Sequence, residues 1–142
     1  MKVRDIMTKE VTLVTAAQPI TDVAHMMRQL DIGSLPVVQD GQLIGIITDR
    51  DIVVRAVSER ADPRSMTVGD IASRDLVTIG PEQDLDEAVA LMSRHRVRRL
   101  PVVQGRTLVG VLAQADVAME AKEKKAGEML EEISRPGSAP IE

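Results

Sequence analysis

The side chains able to do chemistry in this 142-residue chain gather in two places. Thr48-x-x-Asp51 sets a hydroxyl and a carboxylate three residues apart, and Arg94-His95-Arg96-Val97-Arg98-Arg99 sets four guanidiniums within six residues. The first spacing suits a helix start, where the hydroxyl accepts the third amide and the acid sits in the positive first turn. The same pair can also face a ligand, and the two roles are compatible. In the second cluster Arg94 and Arg96 fit a solvated helix end. Arg98 and Arg99 enter a strand, whose side chains alternate faces, so at most one of them points into a given cleft. Guanidinium offers paired donors to phosphate.

Other chemistries lack their parts. There is no cysteine, which removes disulfides, thiolate catalysis and Cys-based zinc sites. His25 and His95 have no matching carboxylate spacing for a metal. Neither a His-activated nucleophile nor a Walker-type loop is present, and acids such as Glu10 and Asp22 are unpaired, so no enzyme is expected. With 28% charged residues and a net charge of -4, no polyanion partner or membrane surface is indicated. Phe, Tyr and Trp are all absent, so a bound base must lie between aliphatic side chains. The opening MKVRDIMTKEV has no apolar signal stretch and no run is long enough to span a bilayer, which predicts a cytoplasmic protein.

The elements that hold these residues repeat. A shift of 65 residues superimposes 3–52 on 68–117 without a gap, with 13 identities in 50 positions. Leu35-Pro-Val-Val-Gln falls on Leu100-Pro-Val-Val-Gln, and Leu43-Ile-Gly-Ile-Ile on Leu108-Val-Gly-Val-Leu. Each copy predicts a short strand (Val11–Val14, Leu76–Ile79). A helix comes next, carrying Ile20, Val23, Ala24 and Met27 or Leu85, Ala88, Val89 and Met92 at helical spacing. Asp84 and Glu87 suit the start of the second of these helices. Two strands then follow, Leu35–Val38 and Leu43–Thr48 in the first copy, joined by Asp40-Gly41. A closing helix begins near Asp49 and carries Ile52, Val53, Ala56 and Val57.

These features predict an α+β fold of two βαββα repeats related by a pseudo-twofold, sheets packed together and helices outside. The first repeat spans 1–60, a linker 61–67, and the second repeat 68–134 with an extended last helix. Gly127 weakens that helix by about 1 kcal/mol relative to alanine and is a candidate break. Residues 135–142 read as a frayed tail. The eight methionines read as packing. Val53, Ala56 and Val57 leave an apolar face that predicts a homodimer.

The duplication, the Leu-Pro-Val-Val strand and Gly45-Ile-Ile-Thr-Asp-Arg-Asp51 together resemble tandem CBS domains, the Bateman module. The Val3-Arg-Asp-Ile-Met-Thr8 opening is similar to small prokaryotic stand-alone members, including the hypoxic-response type. The resemblance implies a disc-like dimer of two pairs, with clefts between repeats that bind AMP, ADP, ATP or related adenosyl ligands. By the family motif Gly-h-h-Thr/Ser-x-x-Asp, Asp51 would hold ribose hydroxyls and Thr48 would lie near phosphate. The second copy keeps Asp116 but has Ala113 in the hydroxyl position. It carries Arg98-Arg99 before Leu-Pro, where the first copy has Gly33-Ser34.

The implied nucleotide site is therefore composite: Thr48 and Asp51 from one repeat, Arg98 and Arg99 from the other, with Leu35, Pro36 and Asp116 in the same set. No catalytic cofactor is implied, and the nucleotide would be a regulatory ligand altering how the pair docks on its dimer mate or on a protein partner. The competing reading is a structural adaptor with empty clefts, which Ala113 and the lack of aromatics favour.

Overall fold

A computed structural model describes residues 1–134, so the expected tail at 135–142 lies outside the described residues. After a one-turn 3-10 helix at Val3–Asp5, the first copy forms α1 (Ile20–Leu30), β1 (Ser34–Gln39), β2 (Gln42–Thr48) and the short α2 (Asp49–Asp51). A π-helical segment, Ile52–Val57, continues α2. The second copy forms α3 (Val68–Ile71), α4 (Leu85–His95), β3 (Arg99–Gln104), β4 (Thr107–Ala113) and α5 (Gln114–Ser134).

Local chemistry explains most of these boundaries. Both long helices end on a residue in the left-handed region, Asp31 at φ 52° and Arg96 at φ 55°, at equivalent repeat positions. Asp40 and Gly41, at φ 53° and 78°, supply the two positive φ values of a type I′ hairpin turn. The second hairpin has one, Gly105 at φ 66°. The β-branched run Ile52-Val53-Val54 crowds an α-helix, and the chain widens there to bonds five residues apart, Ser58 N–H to Val53 O and Ala61 N–H to Ala56 O. Gly127 does not break α5, which runs on to Ser134.

Three expectations change. The two hairpins are not separate sheets packed together but one four-stranded sheet of order β1-β2-β4-β3, joined at Gln42↔Thr107. The strands expected at Val11–Val14 and Leu76–Ile79 shrink to single parallel bridges, Val14↔Val37 and Ile79↔Val102. Ala56 is fully buried in the first core, so only Val53 and Val57, each 58% exposed, remain of the apolar face.

The core is double, and each half is completed by the other repeat. Val14, Ile20, Val23, Leu35 and Ile47 of the first repeat pack with Val68 and Ile71 of the second. Ile79, Ala88, Leu100, Val102 and Leu112 of the second pack with Val3 of the first. Backbone bonds hold both plugs in place: Val3 N–H to Gln83 O at 2.9 Å, Thr8 N–H to Val111 O at 2.9 Å, Val68 N–H to Gln18 O at 2.9 Å and Ser73 N–H to Ile46 O at 2.9 Å. Lys2 and Arg4 both reach Glu82 at 2.8 Å. The Lys2 hydrogen bond, with the charges of Arg4 and Lys2, holds the Glu82 carboxyl below its ordinary value. None of the helices among the described residues is long and apolar enough to cross a membrane.

Candidate functional site

β2 delivers Thr48 and Asp51 to the strand–helix corner of the first repeat. Thr48 is extended at φ -118° and starts the helix. Its hydroxyl accepts from Asp51 N–H at 3.0 Å, and Asp51 Oδ2 accepts from Thr48 N–H at 2.9 Å. This closes a reciprocal capping box, so the hydroxyl and one carboxylate oxygen already serve the backbone. Asp51 Oδ1 faces Arg55 Nε at 3.9 Å, and the Asp51 side chain is only 15% exposed. Ser34 lies opposite Thr48 in the β1–β2 register, and Asp49 N–H donates to Gly33 O at 2.9 Å.

The second repeat builds the same corner from different groups. Arg99 lies opposite Ala113 in the β3–β4 register, and Gln114 N–H donates to Arg98 O at 2.7 Å. Ala113 has no hydroxyl with which to close a box, and Asp116, half-buried, stands in the first turn of α5. Among the described residues Arg98, Arg99 and Asp116 form no ion pair. Arg98 lines a groove of about 570 Å³ between α4 and α5, with Met92, Val97, Gln114 and Val117. Strand alternation assigns Arg99 to the opposite face.

The expected site residues therefore fall into two sets. Thr48 and Asp51 sit beside Gly33 and Ser34; Arg98 and Arg99 sit beside Ala113 and Gln114 of their own repeat. Leu35 and Pro36 are both buried, Leu35 at 1% exposure within the first core, where it pairs with Ile47. Beside them the backbone of Val14 joins β1, its N–H donating to Pro36 O at 3.0 Å. The glycine of the motif also has a structural task. A Cβ on Gly45 would stand 2.8 Å from Ser73 O, and one on Gly110 would stand 2.8 Å from Thr8 O. Each glycine is the notch through which the other repeat's leading segment crosses.

Sequence reading did not single out Arg74 and Arg106, which line a second cleft at the sheet junction. The available signal was divergence between the copies, since the equivalent positions hold Lys9 and Gly41.

Comparison with known proteins agrees with this architecture. The CBS domain family matches residues 3–58 and 68–123. The chain is 38% identical over 133 residues to CBS domain-containing protein YhcV of Bacillus subtilis, covering 93% of this chain and 94% of that one. It is 35% identical over 134 residues to hypoxic response protein 1 of Mycobacterium tuberculosis, covering 94% of each. The solved structure of hypoxic response protein I with two coordinated zinc ions superimposes with TM-score 0.77 at 36% identity, covering 84% of this chain and 98% of that one. A structure of CBSX2 in complex with AMP shares the fold at TM-score 0.77 and 24% identity, covering 87% and 98%. With both copies of the repeat matched and the two cores interlocked, the chain belongs to the CBS-domain family as a tandem pair.

Proposed function

We propose that this CBS pair is a cytoplasmic regulatory module that binds an adenine nucleotide between its repeats and thereby changes how it docks on its homodimer mate or a protein partner. The observation that carries the reading is the corner of the second repeat. Arg99 is a cation with no carboxylate partner among the described residues, and Asp116, one helical turn beyond the opposing Ala113, is a carboxylate outside any capping box. A guanidinium for phosphate and a carboxylate for ribose hydroxyls are the two groups a nucleotide requires. Thr48 and Asp51 offer the same chemistry in the first repeat, but with less free capacity, with Arg55 already beside Asp51 and with Ser34 where the second repeat has Arg99. This favours Asp116 and Arg99 over the composite of Thr48 and Asp51 with Arg98 and Arg99.

Zinc is named for the hypoxic response protein I structure. No three His, Cys, Asp or Glu side chains converge among the described residues. The second reading, a ligand-free adaptor, is favoured by one observation, the closed box at Asp51.

Calorimetric titration with AMP, ADP, ATP and S-adenosylmethionine separates the two. Asp116→Asn is expected to weaken the bound nucleotide at least tenfold, since a hydrogen bond to a charged group contributes about 1.5–3 kcal/mol. Asp51→Asn is expected to change affinity little. Greater damage from Asp51→Asn would move the site to the first repeat, and no heat with any of the four would favour the adaptor. The dimer is tested separately by sedimentation at tens of micromolar, where a strictly monomeric species would refute it. Val53 and Val57 are its expected contacts.

A further inference from the structure

Between the corners lies a cleft that neither reading uses. Segment 73–79 leaves β2 of the first repeat at the Ile46↔Ser73 bridge and reaches β3 of the second at Ile79↔Val102. On the way it forms one wall of an open cleft of about 360 Å³. Arg74, Leu76 and Thr78 line that wall at every second position, as extended backbone dictates. The start of β2, at Leu43 and Ile44, and Arg106 of the β3–β4 turn line the rest of it. The cleft thus joins apolar side chains to two arginines, Arg74 and Arg106, and its volume is that of a small-molecule site.

The charge there is uncompensated. Neither Arg74 nor Arg106 forms an ion pair among the described residues. Asp75, the adjacent acid, is not part of the lining, and alternation turns it to the opposite face. The duplication supplies an internal control. A shift of 65 residues carries Arg74, Thr78, Gly105 and Arg106 onto Lys9, Leu13, Asp40 and Gly41. The equivalent cleft would therefore hold one cation and one carboxylate, so two uncompensated arginines occur on one side only. A bare scaffold would not need that difference, because both turns close the same hairpin.

We infer that this junction cleft binds a phosphate monoester, Arg74 and Arg106 meeting the dianion while Leu76 and the start of β2 cover the body of the ester. Two guanidiniums match the charge and the forked geometry of phosphate. The inference is independent of the nucleotide reading, because it shares no residue with the Arg99 and Asp116 corner.

Amide NMR of the full chain, titrated with hexyl phosphate, AMP, inorganic phosphate and hexanol, tests it. Hexyl phosphate or AMP is expected to shift the amides of Leu43, Ile44 and Thr78 saturably, and which of them does so tells an alkyl body from a nucleoside. Inorganic phosphate should bind at least tenfold more weakly, and hexanol should give no saturable shift. Arg74→Gln and Arg106→Gln, both at exposed positions, should each weaken the ester at least tenfold, whereas Lys9→Gln should change it less than twofold. Absence of saturable shifts in the cleft with either ester overturns the proposal. So does hexanol binding as well as hexyl phosphate, or an equal loss in Lys9→Gln. AMP held through Asp116 and indifferent to Arg74→Gln, with the cleft silent to hexyl phosphate, would overturn this inference and leave the nucleotide reading intact.

Discussion

Val3→Asp is expected to strip hydrogen-exchange protection from residues 79–112 before it affects residues 14–47, although Val3 belongs to the first repeat in the chain. Val3 is fully buried and packs on Ile79, Ala88, Leu100, Val102 and Leu112. A carboxylate there has no partner, and burying one costs several kcal/mol unless the segment lets go. Letting go is the cheaper response. It abandons the Val3 to Gln83 and Thr8 to Val111 bonds and uncovers the second core while leaving the first covered by Val68 and Ile71. A loss of about 3 kcal/mol or more is expected in the opening free energy of the second core. Protection lost first in residues 14–47 would mean that the opening segment belongs to its own repeat.

Gly45→Ala should lower the melting temperature by on the order of 8–24 °C. The added methyl would meet Ser73 O at 2.8 Å, and that carbonyl is backbone, itself bonded to Ile46 N–H at 2.9 Å. The crossing strand must move, and overpacking of this kind costs about 1–3 kcal/mol. The two bonds between Ile46 and Ser73 add about 0.5–1.5 kcal/mol each. At about 4 °C per kcal/mol for a chain of this length, the sum gives the stated range. Gly127→Ala is the contrasting arm, because a Cβ there meets nothing within 4 Å in the middle of α5. It should stabilise by up to about 1 kcal/mol. Equal effects of the two substitutions would show that the notch at Gly45 is not a close approach.

What could be read from the sequence was whatever is local. The apolar spacing of α1 and α4, the Asp40-Gly41 turn and the Thr48-x-x-Asp51 start each depend on neighbours a few residues away, and each stands where expected. The reciprocal plugging was not legible, because Val3-x-Asp-Ile and Val68-x-Asp-Ile are the same pattern and would fill either core equally well. The single sheet was hidden for a related reason, since one pair, Gln42↔Thr107, joins the hairpins and leaves no mark on periodicity. The π-helical segment leaves no mark on apolar spacing, and it is there that Ala56 is buried while Val53 and Val57 are exposed.

The interlocked cores change what the stretch 61–67 is for. Severing the chain there would not release two domains. It would leave two fragments, each holding the stopper of the other's core, neither able to close alone. A covalent tether of this length keeps such fragments at an effective concentration of roughly millimolar. On this reading the stretch 61–67, which also packs Met66 on the first core, would act as a concentration device that turns a meeting of two partners into an intramolecular step, and a protease cutting within it would make the stability of this protein depend on its own dilution.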